Sequence, residues 1–184
     1  MATVLVPLAS GFEEIEAVTI IDILRRAGIN VVVAGLEEGP IRGSHDVVID
    51  PDCTLDAALG ADYDMVVLPG GMPGADNLEK DQRVIGLLKA AAAGSKFTAA
   101  ICAAPKVLAA AGLLEHRRAT SYPGFLQPDR ITGLQFTGAP VEQDDTVITS
   151  RGAGTAMDFA LTLVENLSSR DRRDAVETSL QRAH

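Results

Sequence analysis

Few residues in this chain have the makings of chemistry, and one cysteine leads them. Cys102 lies in the stretch "TAAICAAP" (Thr98 to Pro105), between an apolar run and a string of small helix formers. The small residues two before and two after it, Ala100 and Ala104, match the spacing of a nucleophile elbow. In an elbow a tight strand-to-helix turn exposes the nucleophile and tolerates only small neighbours. Alanine stands here where the usual form has glycine. Packing is the competing reading, because a free cysteine behaves as a small hydrophobe. An elbow predicts the sulfur at a helix N-terminus, where the dipole and free N–H groups favour thiolate over thiol. The backbone N–H groups of Ala103 and Gly71 would then hold a developing oxyanion.

A cysteine nucleophile needs a proton partner. The histidines are His45, His116 and His184. His184 is terminal, and His116 falls in the loop after "AAGLLE", at the far end of the helix that follows Cys102. His45, in "GPIRGSHD", is within reach of the cleft or of a neighbouring subunit. None follows a strand as a papain-like pair requires. The other source is a carboxyl group, and "GFEEIEAV" offers Glu13, Glu14 and Glu16. Acidic residues complement the dipole of a helix start, which accounts for Glu13 and Glu14. Glu16 lies close to the apolar stripe that faces the sheet. Desolvation there raises a carboxyl pKa and keeps it protonated near neutral pH. A protonated Glu16 would donate a hydrogen bond to the thiolate and later move a proton.

The elements that must position these groups alternate strand and helix. Thr3 to Leu8 reads as a buried strand, followed by a helix with Ile15, Val18, Ile21 and Leu24 on one face and Gly28 just past its end. Asn30 to Gly35 is the next strand, Val47 to Ile49 a further short one, and Leu55 to Leu59 a brief helix capped by Thr54. Met65 to Leu68 is a strand that opens into "PGGMPG". A helix with Val84, Ile85, Leu88 and Ala91 in register follows and ends near Gly94. "KFTAAI" is a strand, and Ala103 to Ala111 a helix stopped by Gly112. "APVEQDDTVITSRGAG" reads as a hairpin turning at Asp144-Asp145. Thr155 and Asp158 resemble a capping box ahead of Met157, Ala160, Leu161 and Val164. The last fifteen residues are charged and read as a surface helix.

Repeated strand–helix units with near-continuous apolar strands predict an α/β fold: one doubly wound domain with a mostly parallel sheet covered by helices on both faces. Ligands of such sheets bind outside the carboxyl ends of the strands. The Gly11 to Glu16 segment, Gly70-Gly71 and Cys102 all fall at such ends.

Composition narrows the function classes. The 184 residues carry a net charge of −9, which argues against nucleic-acid binding through basic patches. Arg25-Arg26 and Arg170 to Arg173 sit beside acidic residues and read as solvated helix faces. Cys53 and Cys102 differ in context; a reducing compartment argues against a disulfide between them, and two thiols with at most one nearby histidine cannot build a structural zinc site. No apolar stretch reaches the roughly 20 residues that span a bilayer. The opening "MATVLVPLAS" lacks a basic leader, so the expected location is the cytoplasm.

With these residues assembled, the chain resembles the ThiJ/PfpI family, in its Parkinson-disease-protein deglycase (DJ-one) and bacterial YajL-like branch. The likeness rests on "FEEIEAV", "DILRRAGINVVVAGL", "DVVIDPD", "YDMVVLPGG", "GADNL", "AAICAAP", "ITSRGAGT" and "DFALTLVE", in that order along nearly the whole chain. The resemblance implies a flavodoxin-like domain over 1–184, related to class I glutamine amidotransferases, that works as a homodimer without cofactor or metal. It assigns the nucleophile to Cys102, its carboxyl partner to Glu16, the oxyanion backbone to Gly70, Gly71 and Ala103, and an anion-lining role to Arg26. His45 falls where relatives carry a basic residue beside the cleft, and Tyr122 where some carry histidine. The implied activity is that of a deglycase or glyoxalase on methylglyoxal and its early adducts with amines or thiols. Lactate is released, in protection against oxidative and carbonyl stress. A redox-sensing protective protein or chaperone is the alternative, and a cysteine peptidase a third reading.

Overall fold

Residues 1–182 are described by the computed structural model, so His184 lies outside the described residues. In chain order the strands are β1 (Thr3–Leu8), β2 (Asn30–Gly35), β3 (Ile41–Arg42), β4 (Val48–Ile49), β5 (Cys53–Thr54), β6 (Met65–Leu68), β7 (Phe97–Ile101), β8 (Arg118–Ala119), β9 (Gln135–Phe136), β10 (Val141–Asp144) and β11 (Val147–Ser150). The helices are α1 (Glu14–Arg26), α2 (Leu55–Ala58), α3 (Gly74–Lys80), α4 (Gln82–Ala93), α5 (Pro105–Ala110), α6 (Ala156–Leu167) and α7 (Arg170–Ser179). Seven strands form one sheet in the order β10-β11-β7-β6-β1-β2-β5. Its pairings are parallel except at the edge, where β10 runs antiparallel to β11. The remaining strands make two small pairs, β3 with β4 and β8 with β9.

Helices cover both faces. Val4, Val6, Leu8, Ile101 and Ile148 pack with α1 and α6 on one side. Leu5, Val66, Leu68, Ala100 and Val147 pack with α2, α4 and α5 on the other. Each fully buried Leu or Phe contributes roughly 1.5–3 kcal/mol against leaving it in water. The sheet order reverses direction at β1: β2 lies on one side of it and β6 on the other. The crevice at this switch point, at the carboxyl ends of the strands, is where such folds take ligands. The ends of β1, β6 and β7 deliver Glu16, Gly70-Gly71 and Cys102 to it.

Several local expectations need correction. Ile15 and Val18 are exposed, at 59% and 46%; the buried face of α1 is Glu16, Ala17, Ile20, Ile23 and Leu24. A row of strict i, i+3 spacing rotates about 300° per step, so Ile15 and Leu24 point in opposite directions. β4 pairs with β3 outside the main sheet. α3 carries no apolar periodicity in "GADNLEK" and was not expected as a separate helix. The β10–β11 hairpin turns at Asp145-Thr146, one residue later than expected, with Asp145 at φ +57°. Thr155 caps α6 without a side-chain bond. Its hydroxyl instead lies 2.7 Å from Ser150 Oγ and accepts from the Gly152 N–H, so no capping box with Asp158 forms. α5 begins at Pro105, two residues after the expected start.

Candidate active site

Cys102 follows β7 directly, with φ +63°, the left-handed region that a non-glycine residue enters at a cost of about 1–3 kcal/mol. Two backbone bonds hold it there. Its N–H donates to the Ser150 carbonyl at 2.9 Å, and its carbonyl accepts from the Tyr122 N–H at 2.9 Å. The elbow geometry is therefore present, and the half-buried sulfur is not sealed in the core. The helix dipole plays less part than expected. α5 starts three residues further on and is six residues long. The groups that favour a sulfur anion are two individual N–H donors directed at it, from Ala103 and Gly71.

Glu16 sits in the first turn of α1, whose N-cap is the Glu13 side chain, accepting from the Glu16 N–H at 2.8 Å. Its carboxyl is wholly buried. Oε2 accepts from the Gly70 N–H at 2.8 Å, and Cys102 is its side-chain hydrogen-bond partner. Oε1 has no hydrogen-bond partner among the described residues. Gly70 shows how tightly this is built. A Cβ placed on it would lie 2.7 Å from Cys102 Cβ, 2.7 Å from Glu16 Oε2 and 2.9 Å from the Ile101 carbonyl oxygen. The N–H of Gly70 is thus committed to Glu16, not to an oxyanion; Gly71 and Ala103 retain that role.

Burial dominates the titration of both acids. It raises the Glu16 carboxyl to about 7, with the Gly70 N–H and Cys102 pulling the other way. It also raises the Cys102 thiol, to about 12, and next come the negative charge and hydrogen bond of an ionised Glu16. Those two contributions exist only while the carboxyl is the anion. If the proton moves to Glu16, they reverse, and the carboxyl O–H joins the N–H groups of Gly71 and Ala103 as a donor to sulfur.

The other predicted residues divide. Glu14 is not a solvated dipole partner, as expected, but a buried clasp. Its carboxylate accepts from the His45 N–H at 2.6 Å and the Ser44 hydroxyl at 3.2 Å, and lies 3.0 Å from His45 Nδ1. Burial opposes its charge, but these bonds prevail and hold its pKa at about 2, while Glu14 raises that of His45. His45 is thus tied to the start of α1, with its ring committed to Glu14. Donor atoms of Glu13, Glu14 and His45 lie within 4.8 Å of one another, but Glu14 is already taken by its protein donors. Arg26 does not join the site. It pairs with Asp22 at 2.6 Å near the C-terminal end of α1, ten residues and about 15 Å of helix rise beyond Glu16. Tyr122 holds Cys102 through its backbone and exposes its ring. The carbonyl of Ser150 and the N–H of Gly70 hold the pair, a role that residue types alone do not signal, because both act through the backbone. The half-buried Cys53 lies at the edge strand β5.

Fold and site together define a flavodoxin-like domain with a cysteine elbow and a buried carboxyl partner. Residues 2–166 match the DJ-1/PfpI family, and the chain belongs to it. Protein dj-1beta of Drosophila melanogaster is 41% identical over 178 residues, 96% of this chain and 95% of that protein. The Parkinson disease protein 7 homolog of Danio rerio is 44% identical over 167 residues, 89% of this chain and 88% of that one. Against the Arabidopsis thaliana protein DJ-1 homolog A the identity is 36% across 97% of this chain, which spans only 46% of that longer protein. The crystal structure of the Drosophila protein superposes with a TM-score of 0.93 over 100% of this chain and 99% of the other, at 39% identity.

Proposed function

We propose that this protein is a cofactor-free, cysteine-dependent glyoxalase acting on small 2-oxoaldehydes, with deglycase activity on their early adducts with amines or thiols. The observation that carries the reading is the Glu16–Cys102 pair, one buried carboxyl against one half-buried cysteine. We place the single negative charge of this pair on sulfur, against the burial that leaves the thiol, at about 12, harder to ionise than the carboxyl, at about 7. Two N–H donors and partial contact with solvent favour it there, against one donor and no solvent at Glu16. Glu16 then holds the proton.

The chemistry follows. The Cys102 thiolate adds to the aldehyde carbon of methylglyoxal, forming a C–S bond. The carbonyl electrons move to oxygen, which the N–H groups of Gly71 and Ala103 hold. Glu16 gives its proton to that oxygen and becomes a carboxylate. It then removes the proton from the former aldehyde carbon, giving an enediolate, and returns it to the neighbouring carbon. The first carbon is thereby oxidised to a thioester and the second reduced to an alcohol. Water cleaves the thioester, releasing lactate and restoring the thiolate and the protonated carboxyl. No imidazole is required, which suits a chain whose His45 is bonded to Glu14. A Caenorhabditis elegans relative named glutathione-independent glyoxalase DJR-1.2, 34% identical over 89% of this chain and 87% of that protein, supports the reaction class. Replacing Cys102 with Ser is expected to abolish lactate formation from methylglyoxal. Turnover within tenfold of wild type in that variant would overturn the assignment.

A redox-sensing role is the second reading, favoured by a cysteine at the elbow that the core does not seal. An oxidised DJ-1 from Toxoplasma gondii superposes on this chain with a TM-score of 0.93 at 38% identity, over 100% of each chain. Stepwise oxidation of Cys102 to a sulfinate under mild peroxide would place the protein there. We also propose a homodimer in the cytoplasm. The exposed Ile15 and Val18 of α1 and the exposed Val47 and Val48 beside it supply an apolar surface for a second copy. No helix among the described residues is long and apolar enough to cross a membrane.

A further inference from the structure

Few large hydrophobic side chains are exposed among the described residues, and two of them belong to residues at or next to backbone groups that bond Cys102. Tyr122 is 52% exposed and Met72 41%. Each is tied to Cys102 by the chain itself. Tyr122 donates its own N–H to the Cys102 carbonyl, and Met72 directly follows Gly71, whose N–H is directed at the sulfur. The tyrosine ring also has two packing neighbours. A Cβ on Gly152 would touch Tyr122 Cδ2 at 3.4 Å, so the ring lies over a position where the chain has no side chain. Gly152 comes two residues after Ser150, whose carbonyl holds the Cys102 N–H. Phe125 meets the ring edge-on, with centroids 6.1 Å apart and planes at 75°. An aromatic wall packed on two neighbours, and bonded through its backbone to the Cys102 carbonyl, offers an apolar binding surface at low entropic cost. The aldehyde carbon must reach the sulfur and the oxygen must reach the two N–H groups. The substituent on the far carbonyl is then the part of the substrate left to meet this wall.

We infer that Tyr122, together with Met72, forms a subsite that selects 2-oxoaldehydes bearing an aryl or bulky alkyl substituent over glyoxal and methylglyoxal. The inference rests on the glyoxalase reading of Cys102 and sharpens its substrate class. The ring carries the selection and the hydroxyl does not, because the contact offered is the apolar face.

The test uses the full chain and two readouts. The first is kcat/KM for phenylglyoxal and for methylglyoxal in the wild type, Tyr122→Ala, Tyr122→Phe and Met72→Ala. The wild type is expected to favour phenylglyoxal by tenfold or more. Tyr122→Ala should lower that ratio at least fivefold, Met72→Ala should lower it less, and Tyr122→Phe should keep it. Equal preference in the wild type, or a ratio unmoved in Tyr122→Ala, overturns the inference. The second readout needs no turnover. It is the rate at which Cys102 displaces bromide from phenacyl bromide relative to bromoacetone, normalised to the same ratio for free cysteine. A normalised ratio of five or more that falls towards one in Tyr122→Ala supports the subsite, and a ratio near one in the wild type refutes it. Failure of the wild type to turn over either aldehyde would sink the glyoxalase reading, while the labelling ratio would still judge the subsite by itself.

Discussion

Gly70→Ala is the smallest change that should break the site while sparing the fold. The added methyl would sit 2.7 Å from Cys102 Cβ and from Glu16 Oε2, and 2.9 Å from the Ile101 carbonyl oxygen. Ordinary carbon contacts begin at about 3.5 Å, so the neighbours must give by more than half an ångström. The Ile101 carbonyl belongs to a central strand and cannot yield cheaply. Relief therefore comes from Glu16 or from Cys102, and either movement opens the pair. Overpacking of this kind costs typically 1–3 kcal/mol of stability. Gly70 has no positive φ to add backbone strain, so a folded variant is expected. A displacement approaching 1 Å in a catalytic pair is worth roughly 100-fold in rate. Lactate formation from methylglyoxal measures it, with thermal unfolding as the control. A folded Gly70→Ala variant with kcat/KM within threefold of wild type would refute the geometry argued here.

Two further predictions concern charge and assembly. Beside a neutral thiol, burial raises the Glu16 carboxyl to about 7 from an ordinary 4.5, and a thiolate would raise it further. Its share of stability is complete below about 4.5 and is lost as pH rises through about 7, up to roughly 3 kcal/mol. Thermal unfolding of wild type should weaken over that window, and Glu16→Gln should remove most of the slope; identical pH profiles would count against burial as the cause. Ile15→Asp places a charge in the apolar surface of α1 and should shift the protein from dimer to monomer in analytical ultracentrifugation. An unchanged sedimentation coefficient would exclude that face as the interface.

The strand–helix alternation was legible because continuous apolar runs such as "MVVL" and "TAAI" fit only buried strands. The elbow was legible from small residues around one cysteine, and the burial of Glu16 from its place near the apolar face of α1. That inference reached the right residue from a wrong stripe: Ile15 and Val18 face outward, and the i, i+3 row that joined them to Leu24 drifts around the helix. Apolar residues that cover a second copy and those that fill a core look alike in sequence. The Glu14–His45 clasp was illegible for another reason. It joins residues 31 apart through a hairpin of two-residue strands, too short to leave a periodic signal. Arg26 shows the limit of carrying a role over by motif alone, since the helix that brings Glu16 to the sulfur takes Arg26 away from it.

Titration of the Cys102 thiolate by its ultraviolet absorbance, in wild type and in Glu16→Gln, tests the proton's position most directly. Cys102 Cβ and Glu16 Oε2 lie within about 5.4 Å of each other, each 2.7 Å from a common point. A carboxylate at such a distance opposes a thiolate by about 3 kcal/mol at an effective dielectric of 20, or roughly two pH units. If the neutral carboxyl donates to sulfur, the wild-type thiol ionises below the usual value of about 8.5. Glutamine, a weaker donor, then raises it by about one unit. A wild-type thiol that ionises well above 8.5, and whose pKa falls by about two units in Glu16→Gln, would mean the charge rests on the carboxyl.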